Sequence, residues 1–401
     1  MVDNFKIILF TSPGEIHDEA ELLTLFLQNG LDYLHIRKPD WSKDRVGDLL
    51  AAIPAYYHPK IKLHDCYDLT EYFDVGICLN SRNTIVPNGI KRIAKGMHSL
   101  HEATDADKYE YAFISPVFDS ISKDGYNSHI GLIDAAESTG KTNLVALGGV
   151  RMSNLAEVWK KGFCGGAILG DVWNNGNSKC LIDTLRNRNM QLYFITNSDT
   201  AEGTVNQARA AIEGGCRCVQ IRMKDAAMEV VSEVTAEVTH YARPFGCNVM
   251  VDDHVEIAAE GIADGVHIGK KDMKPEEARK MLGSMPILGF TANSIEDIHN
   301  AEGLPIDYLG IGPLRETTTK KNAASPLGLS TYQNLKKGVD YTVPYVAIGS
   351  VGIADIQPLM TAGAMGVAVS AAIAKTADPI AATRELVKET NKYKNYLEWI
   401  S

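Results

Sequence analysis

Three polar residues alternate at the end of a short apolar run in the second half of the chain. Gln220, Arg222 and Lys224 stand two residues apart, so an extended strand end would project their side chains to one side. A guanidinium and an ammonium beside an amide suit a polyanion such as a diphosphate. The sequence therefore predicts an anion-binding zone at this strand end.

Acidic residues follow the next two apolar runs. Asp252 and Asp253 come at the end of the run NVMVD, and Asp272 comes shortly after the run GVHIG. Carboxylates repel a diphosphate, and a divalent cation removes this conflict. Mg²⁺ binds one or two carboxylates and completes its shell with phosphate oxygens and water. We therefore expect Asp253 and Asp272 to bind Mg²⁺ beside the anion.

Later runs add two further groups of polar residues. A loop with the sequence TTTKK, residues 317–321, supplies hydroxyl donors and positive charge. Gly349 ends one apolar run, and Val369 and Ser370 end the last apolar run. This pattern is typical of a cup whose backbone N–H groups hold a monophosphate. A diphosphate and a monophosphate would then face each other across one cleft.

The elements that must position these groups are eight apolar runs, each followed by turn or helix-start residues. The runs are LYFIT, CVQIR, NVMVD, GVHIG, PILGF, YLGIGP, YVAIG and GVAVS. Continuous apolar strands are typical of a parallel sheet that is buried on both faces. Eight strand and helix units in roughly 185 to 200 residues predict a small (βα)8 TIM barrel, in which chemistry gathers after the strand ends.

The first half of the chain repeats the second. YLHIRKPD matches CVQIRMKD and VALGGV matches VAIGSV, in the same order and with a gradually growing offset. We therefore predict an α/β fold of two tandem (βα)8 TIM barrels, residues 1–188 and 189–390. The last segment, 391–401, is either a docking helix or a loose end, and docking is the favoured interpretation.

The composition narrows the class of protein. The chain has 401 residues, 45% of them hydrophobic, and a formal net charge of −10, which argues against nucleic-acid partners and anionic membranes. No signal-peptide pattern and no apolar run of membrane-spanning length is present. The seven cysteines are scattered without zinc-site spacing. We expect a cytoplasmic protein with reduced thiols that acts on small molecules.

Six motifs in the second half carry a resemblance to a known family. Q-I-R-x-K, V-D-D, G-V-H-I-G-x-x-D, G-P-x-x-x-T-x-T-K-K, A-I-G and A-G-A-x-G-V-A-V-S-A-A-I occur in this order. Together they resemble thiamine phosphate synthase over nearly all of residues 190–388. The resemblance implies a Mg²⁺-dependent transferase that joins hydroxymethylpyrimidine diphosphate to thiazole phosphate and releases diphosphate.

The resemblance also implies a role for each candidate position. Gln220, Arg222 and Lys224 would hold the diphosphate, and Asp253 and Asp272 the metal. Thr291 would lie near the pyrimidine. Thr317, Thr319 and Lys320 would be the catalytic residues over the reacting centre. Gly349, Val369 and Ser370 would seat the thiazole phosphate.

Two positions depart from the family pattern. Asp252 stands where the family usually has Asn, and Ser350 stands where a second Gly is usual. We count Asp252 among the substrate-binding residues. As a third acid near the diphosphate, it either weakens anion binding or joins the metal shell.

The first half loses most of the diphosphate site. The residues at the positions of Gln220, Lys224, Asp252 and Asp272 are His35, Pro39, His64 and Asn83. One feature is gained, since His98 follows the fifth run and resembles the thiazole tautomerase branch of the superfamily, where a His moves a proton. A neutral-pH imidazole suits such a transfer. The first barrel is therefore either a tautomerase with His98 as a catalytic residue or a noncatalytic binding or interface module. Its outer helices also offer surfaces for a homo-oligomer.

Overall fold

The structure, a computed structural model, describes residues 5–119, 131–316, 324–338 and 343–399. It contains two closed parallel barrels of eight strands each, which confirms the predicted tandem TIM barrels. The division between two compact units falls between Leu185 and Arg186. The boundary predicted after residue 188 lies slightly further along the same helix.

The first barrel is built from short, buried strands that match the apolar runs of its sequence. The strands are β1 Lys6–Phe10, β2 Tyr33–Ile36, β3 Ile61–Leu63, β4 Gly76–Leu79, β5 Ile93–Met97, β6 Tyr111–Ile114, β7 Leu144–Ala146 and β8 Gly165–Ile168. The helices are α1 Glu19–Gln28, α2 Lys43–Ala52, α3 Leu100–Ala103, α4 Ala135–Thr139, α5 Leu155–Lys160, α6 Gly170–Trp173 and α7 Ser178–Asn189. Strand β1 pairs with both β2 and β8, which closes the barrel.

The second barrel follows the eight runs predicted for it. Its strands are β9 Leu192–Ile195, β10 Cys218–Ile221, β11 Asn248–Asp252, β12 Gly265–Ile268, β13 Ile287–Ala292, β14 Tyr308–Ile311, β15 Tyr345–Ile348 and β16 Gly366–Val369. Its helices are α8 Ala201–Glu213, α9 Met228–Ala242, α10 Val255–Ala259, α11 Pro275–Leu282, α12 Ile295–Asn300, α13 Gly328–Gly338, α14 Ile353–Thr361, α15 Ala371–Ala374 and α16 Pro379–Thr390.

Strand ends in the two barrels are held by the same local bonds. In the second barrel the backbone N–H of Arg222 donates to Thr196 Oγ1 at 3.0 Å. In the first, the N–H of Arg37 donates to Thr11 Oγ1, also at 3.0 Å. The repeat in the sequence therefore extends to the hydrogen bonds that fix where the second strand of each barrel ends.

The C-terminal segment packs on the second barrel as far as it is described. Tyr396 and Leu397 are buried, and Asn395 Nδ2 donates to the carbonyls of Met360 and Ala364 at 2.7 Å each. Docking of this tail is thus observed up to Trp399.

Within the described residues, every helix is too short or too polar to cross a bilayer.

Candidate functional site

A cavity of about 1030 Å³ opens at the carboxyl ends of the strands of the second barrel. Every strand from β9 to β16, or the loop after it, contributes to its wall. The predicted binding residues that line it are Gln220, Arg222, Lys224, Asp252, Asp253, Asp272, Thr291, Gly349, Val369 and Ser370. The fold therefore brings together ten positions that are spread over about 150 residues of sequence.

Three predicted residues lie outside the described part of the chain. Thr317, Thr319 and Lys320 belong to the segment 317–323. Their expected place over the reacting centre stays a prediction.

The side of the cavity that holds Arg222 and Lys224 also contains acidic side chains. Arg222 Nε lies 3.3 Å from Asp252 Oδ2. Lys224 Nζ lies 3.4 Å from Asp253 Oδ2 and 3.9 Å from Asp252 Oδ2. Gln220 is buried deeper, within β10. An anionic ligand entering here meets both cations, and Asp252 competes with it for Arg222.

The two predicted metal ligands face each other. Partial burial, together with the negative charge of Asp253, raises the pKa of Asp272. Asp272 Oδ2 also accepts a 2.7 Å hydrogen bond from the N–H of Gly269. Asp253 has a φ of 67°, a left-handed conformation that costs energy in a residue with a side chain. Two adjacent carboxylates beside an anion site form an oxygen donor set that fits Mg²⁺.

A hydrogen-bonded chain of ring groups runs across the floor of the cavity. Tyr308 donates its hydroxyl proton to Tyr193 Oη at 3.0 Å, so its oxygen accepts from His267 Nδ1, also at 3.0 Å. His267 Nε2 then accepts from the hydroxyl of Thr291 at 2.9 Å. The lone pairs of Thr291 Oγ1 are left available to a donor group of a ligand.

This row of hydrogen-bonded rings was not predicted from the sequence, although the motif G-V-H-I-G contains His267. The signal that points to it is alternation, because every second residue of a barrel strand faces the interior. Tyr193, His267 and Tyr308 lie on three different strands, so sequence spacing does not show that they touch.

We expect Tyr308→Phe to lower kcat/KM of the coupling reaction that the family resemblance implies by about 2- to 10-fold. This is the size of effect that the net free energy of one hydrogen bond usually produces. The ring still fills its space, but His267 loses the acceptor that sets its tautomer, and Thr291 is no longer held in one orientation. The matched control is Tyr111→Phe, which makes the same change at the corresponding position of β6 in the first barrel. An equal loss in both variants, measured by steady-state kinetics, would contradict the orienting role.

The far wall contains the residues that were predicted to form a phosphate cup. Gly349 has a φ of 100°, and a Cβ atom there would lie 2.4 Å from Pro313 Cβ, so only glycine fits. Ser350 also has a positive φ, 53°, and its hydroxyl donates to the carbonyl of Glu316 at 2.7 Å. Ser370 Oγ is buried in this wall and has no hydrogen-bond partner among the described residues. A phosphate oxygen would provide one.

The corresponding end of the first barrel is filled by aromatic rings. By strand register, Phe113 takes the position of Gly310, since each pairs with the matching residue of the preceding strand. Phe113 lies 5.2 Å from Phe10 and 4.9 Å from His35, measured between ring centroids. The space that substrates would use in the second barrel is occupied by side chains here.

The carboxylate pair is also replaced in the first barrel. Asn83 Nδ2 donates to Asp65 Oδ1 at 2.8 Å, and Arg82 lies 3.4 Å from the same carboxylate. The remaining acid is therefore bound by an amide and a guanidinium. Asp65 therefore has the amide of Asn83 beside it in place of the second carboxylate of the pair.

His98 lies at the rim of the first barrel and is exposed. Its backbone N–H donates to Glu102 Oε2 at 2.7 Å, and its Nδ1 lies 3.1 Å from the carbonyl oxygen of Ser115. A proton on Nδ1 that donates to this carbonyl leaves the lone pair on Nε2. The hydroxyl of Ser115 also lies 3.3 Å from Nδ1 and can donate to it, so the contacts at Nδ1 suit either tautomer of this exposed imidazole.

Comparison with known proteins relates the second barrel to one family. A family model described as thiamine monophosphate synthase matches residues 192–373. Thiamine-phosphate synthase of Bacteroides fragilis is 42% identical over 203 residues, 49% of this chain and 98% of that protein. The same enzyme of Phocaeicola vulgatus is 38% identical, over 51% of this chain and 99% of that protein.

The chain is also similar to solved structures. Thiamine phosphate pyrophosphorylase from Pyrococcus furiosus is 30% identical with a TM-score of 0.47, covering 51% of this chain and 98% of that one. The sequence matches extend over nearly the whole of the curated enzymes. Through its second barrel, the chain belongs to the thiamine-phosphate synthase family.

Proposed function

We propose that the second barrel is a thiamine-phosphate synthase that joins hydroxymethylpyrimidine diphosphate to thiazole phosphate and releases diphosphate. The observation that carries this proposal is the arrangement of the cavity. Arg222 and Lys224 lie beside the carboxylate pair on one side of the cavity, and Gly349 and Ser370 belong to another wall of the same cavity. A diphosphate and a monophosphate each find suitable groups there.

The chain's own cations act on the leaving group. When the C–O bond to the diphosphate breaks, both electrons stay with oxygen and the pyrimidine methylene carries a positive charge. Arg222 and Lys224 stabilise the negative charge as it develops on the diphosphate. The thiazole nitrogen, anchored through its phosphate, supplies the electron pair of the new C–N bond at close range. No proton is transferred in this step, so no general base is needed.

Asp253 and Asp272 would hold Mg²⁺, which supplies further positive charge to the diphosphate oxygens. Thr291 would accept a hydrogen bond from the pyrimidine, since its own proton is directed to His267. Both roles extend the family resemblance to groups that line the same cavity in this chain.

The test is a coupling assay on the full chain. We expect thiamine phosphate and diphosphate to form in equal amounts, and only when both substrates and a divalent cation are present. A chelator should stop the reaction. Release of diphosphate without the coupled product, or no product at all, would contradict the proposal.

Asp252→Asn is expected to improve binding of the diphosphate substrate. The carboxylate repels the anion and pairs with Arg222 at 3.3 Å, so its removal should lower KM for this substrate by about 2- to 10-fold. Asp252→Glu keeps the charge and is the matched control. If Asp252→Asn raises KM instead, the carboxylate belongs to the metal shell.

For the first barrel, His98 supports a second candidate function, proton transfer in a thiazole phosphate tautomerase. The exposed Nε2 carries this candidate, while the filled centre near Phe113 favours the noncatalytic module. Tautomer conversion should be followed in the full chain and in His98→Gln, with His101→Gln, on the helix α3 that begins two residues after His98, as control. A specific loss in His98→Gln supports catalysis, and equal rates in all three proteins favour the module.

A further inference from the structure

Three potential metal ligands meet inside the first barrel. His35 lies on β2, His64 follows β3 and Cys78 lies on β4, and their exposed fractions are 0%, 7% and 1%. One possible ligand atom of each lies within 4.8 Å of those of the other two. We propose that these residues bind a divalent ion of the zinc class, through two imidazole nitrogens and one thiolate.

The distances are close to those of a bound ion. With metal bonds of about 2.0 to 2.1 Å to nitrogen and 2.3 Å to sulfur, tetrahedral geometry places ligand atoms about 3.3 to 3.8 Å apart. His35 Nδ1 and His64 Nε2 are already 2.9 Å apart. The ion therefore requires these nitrogens to separate slightly and the sulfur to approach by roughly 1 Å.

Tyr111 orients the first ligand. Its hydroxyl lies 2.6 Å from His35 Nε2, so a proton on Nε2 that donates to this oxygen leaves the Nδ1 lone pair directed at His64. Metal-binding histidines are commonly held in this way through their other nitrogen. Both imidazoles keep one N–H when the ion binds, and the thiol of Cys78 releases the single proton that leaves.

The positions of the three residues support this interpretation. By strand register His35, His64 and Cys78 correspond to Gln220, Asp252 and His267, which face the substrate cavity of the second barrel. The first barrel has histidines in place of Gln220 and Asp252 and a cysteine in place of His267. All three positions therefore carry a nitrogen or sulfur ligand. Such a set selects zinc-like ions over Mg²⁺.

The surroundings are dry. Phe10 stacks on His35 at 4.8 Å between ring centroids and lies 5.1 Å from His64. The ammonium of Lys62, two residues before His64 on β3, pairs with Glu110 at 2.7 Å, so its charge is opposed. An apolar shell of this kind limits the access of water to a bound ion and lowers the local dielectric around it.

The test uses Co²⁺ as a spectroscopic probe in the full chain. We expect one Co²⁺ per chain and a thiolate-to-cobalt charge-transfer absorption, which Zn²⁺ displaces. In Cys78→Ser this absorption should vanish and the affinity should fall by more than the roughly 10- to 100-fold cost of losing a group that merely supports a ligand. Cys164→Ser, at another buried cysteine of the same core, is the matched control and should behave as the parent protein.

Two results would overturn the proposal. The first is an unaltered chain that shows no charge-transfer absorption with Co²⁺ and retains no zinc after dialysis, in which case the three residues form only a hydrogen-bonded core cluster. The second is an absorption that persists in Cys78→Ser. The first measurement needs no variant, so misfolding of Cys78→Ser does not affect it. His64→Ala gives an independent check, since it should reduce bound zinc without removing the thiol.

Discussion

Replacing Asp272 with Asn is expected to lower the rate of coupling by at least about 100-fold, the scale of losing one group that stabilises transition-state charge. The amide keeps the size of the side chain and removes the charge that, paired with Asp253, makes the oxygen donor set for Mg²⁺. Raising the Mg²⁺ concentration should recover part of the activity if the loss lies in metal binding. Rates measured across a Mg²⁺ titration check both expectations.

The matched control is Asp65→Asn in the first barrel. Asp65 follows β3 as Asp253 follows β11, but it is bound by Asn83 and Arg82. We expect this variant to couple at the parent rate. Full activity of Asp272→Asn at low Mg²⁺ would rule out the metal assignment.

Gly310→Phe is expected to abolish substrate binding in the second barrel while leaving the fold intact. Gly310 lines the cavity, and a Cβ atom there would already lie 2.9 Å from His267 Cε1. A ring at this position would fill the space in which we place the pyrimidine. The first barrel accommodates Phe113 at the matching position of a closed barrel, so the fold tolerates such a ring. We expect binding of the pyrimidine diphosphate, measured by calorimetry, to weaken by at least about 100-fold, an effect of several kcal/mol.

Gly310→Ala provides the graded control for this change. It adds only the Cβ atom, and a small movement of His267 can relieve the contact, so its effect should be clearly smaller than that of the ring. Thermal unfolding of both variants should stay close to that of the parent chain. A folded Gly310→Phe protein that binds the substrate normally would show that the pyrimidine lies elsewhere.

Much of the fold follows from local patterns in the sequence. The runs from LYFIT to GVAVS correspond to β9–β16 because continuous apolar strands suit a parallel sheet buried on both faces. The residues at their ends, such as Arg222, Asp253 and Asp272, line one cavity because the carboxyl ends of all strands in a barrel face the same way. Strand-end position was therefore enough to collect them.

Contacts inside the barrels did not follow from the same patterns. His267 and Tyr308 hydrogen-bond across neighbouring positions of the interior, and His35 meets His64 and Cys78 although the three are far apart in sequence. The cysteines show no zinc-site spacing because each ligand comes from a different strand. Such contacts depend on strand register and closure, which single-strand periodicity does not specify.

Residue types along the chain were enough to predict that one barrel is repeated and that only the second copy has the carboxylate pair and the Lys224 ammonium expected at a diphosphate site, while an arginine remains in both copies. Both properties are local, since they depend on residue types at strand ends. The open centre of the second barrel and the filled centre of the first become visible only in the folded chain. Gly310 and Phe113 are equally compatible with a buried strand, and their effect on the cavity arises only when eight strands bring their inner side chains to one axis.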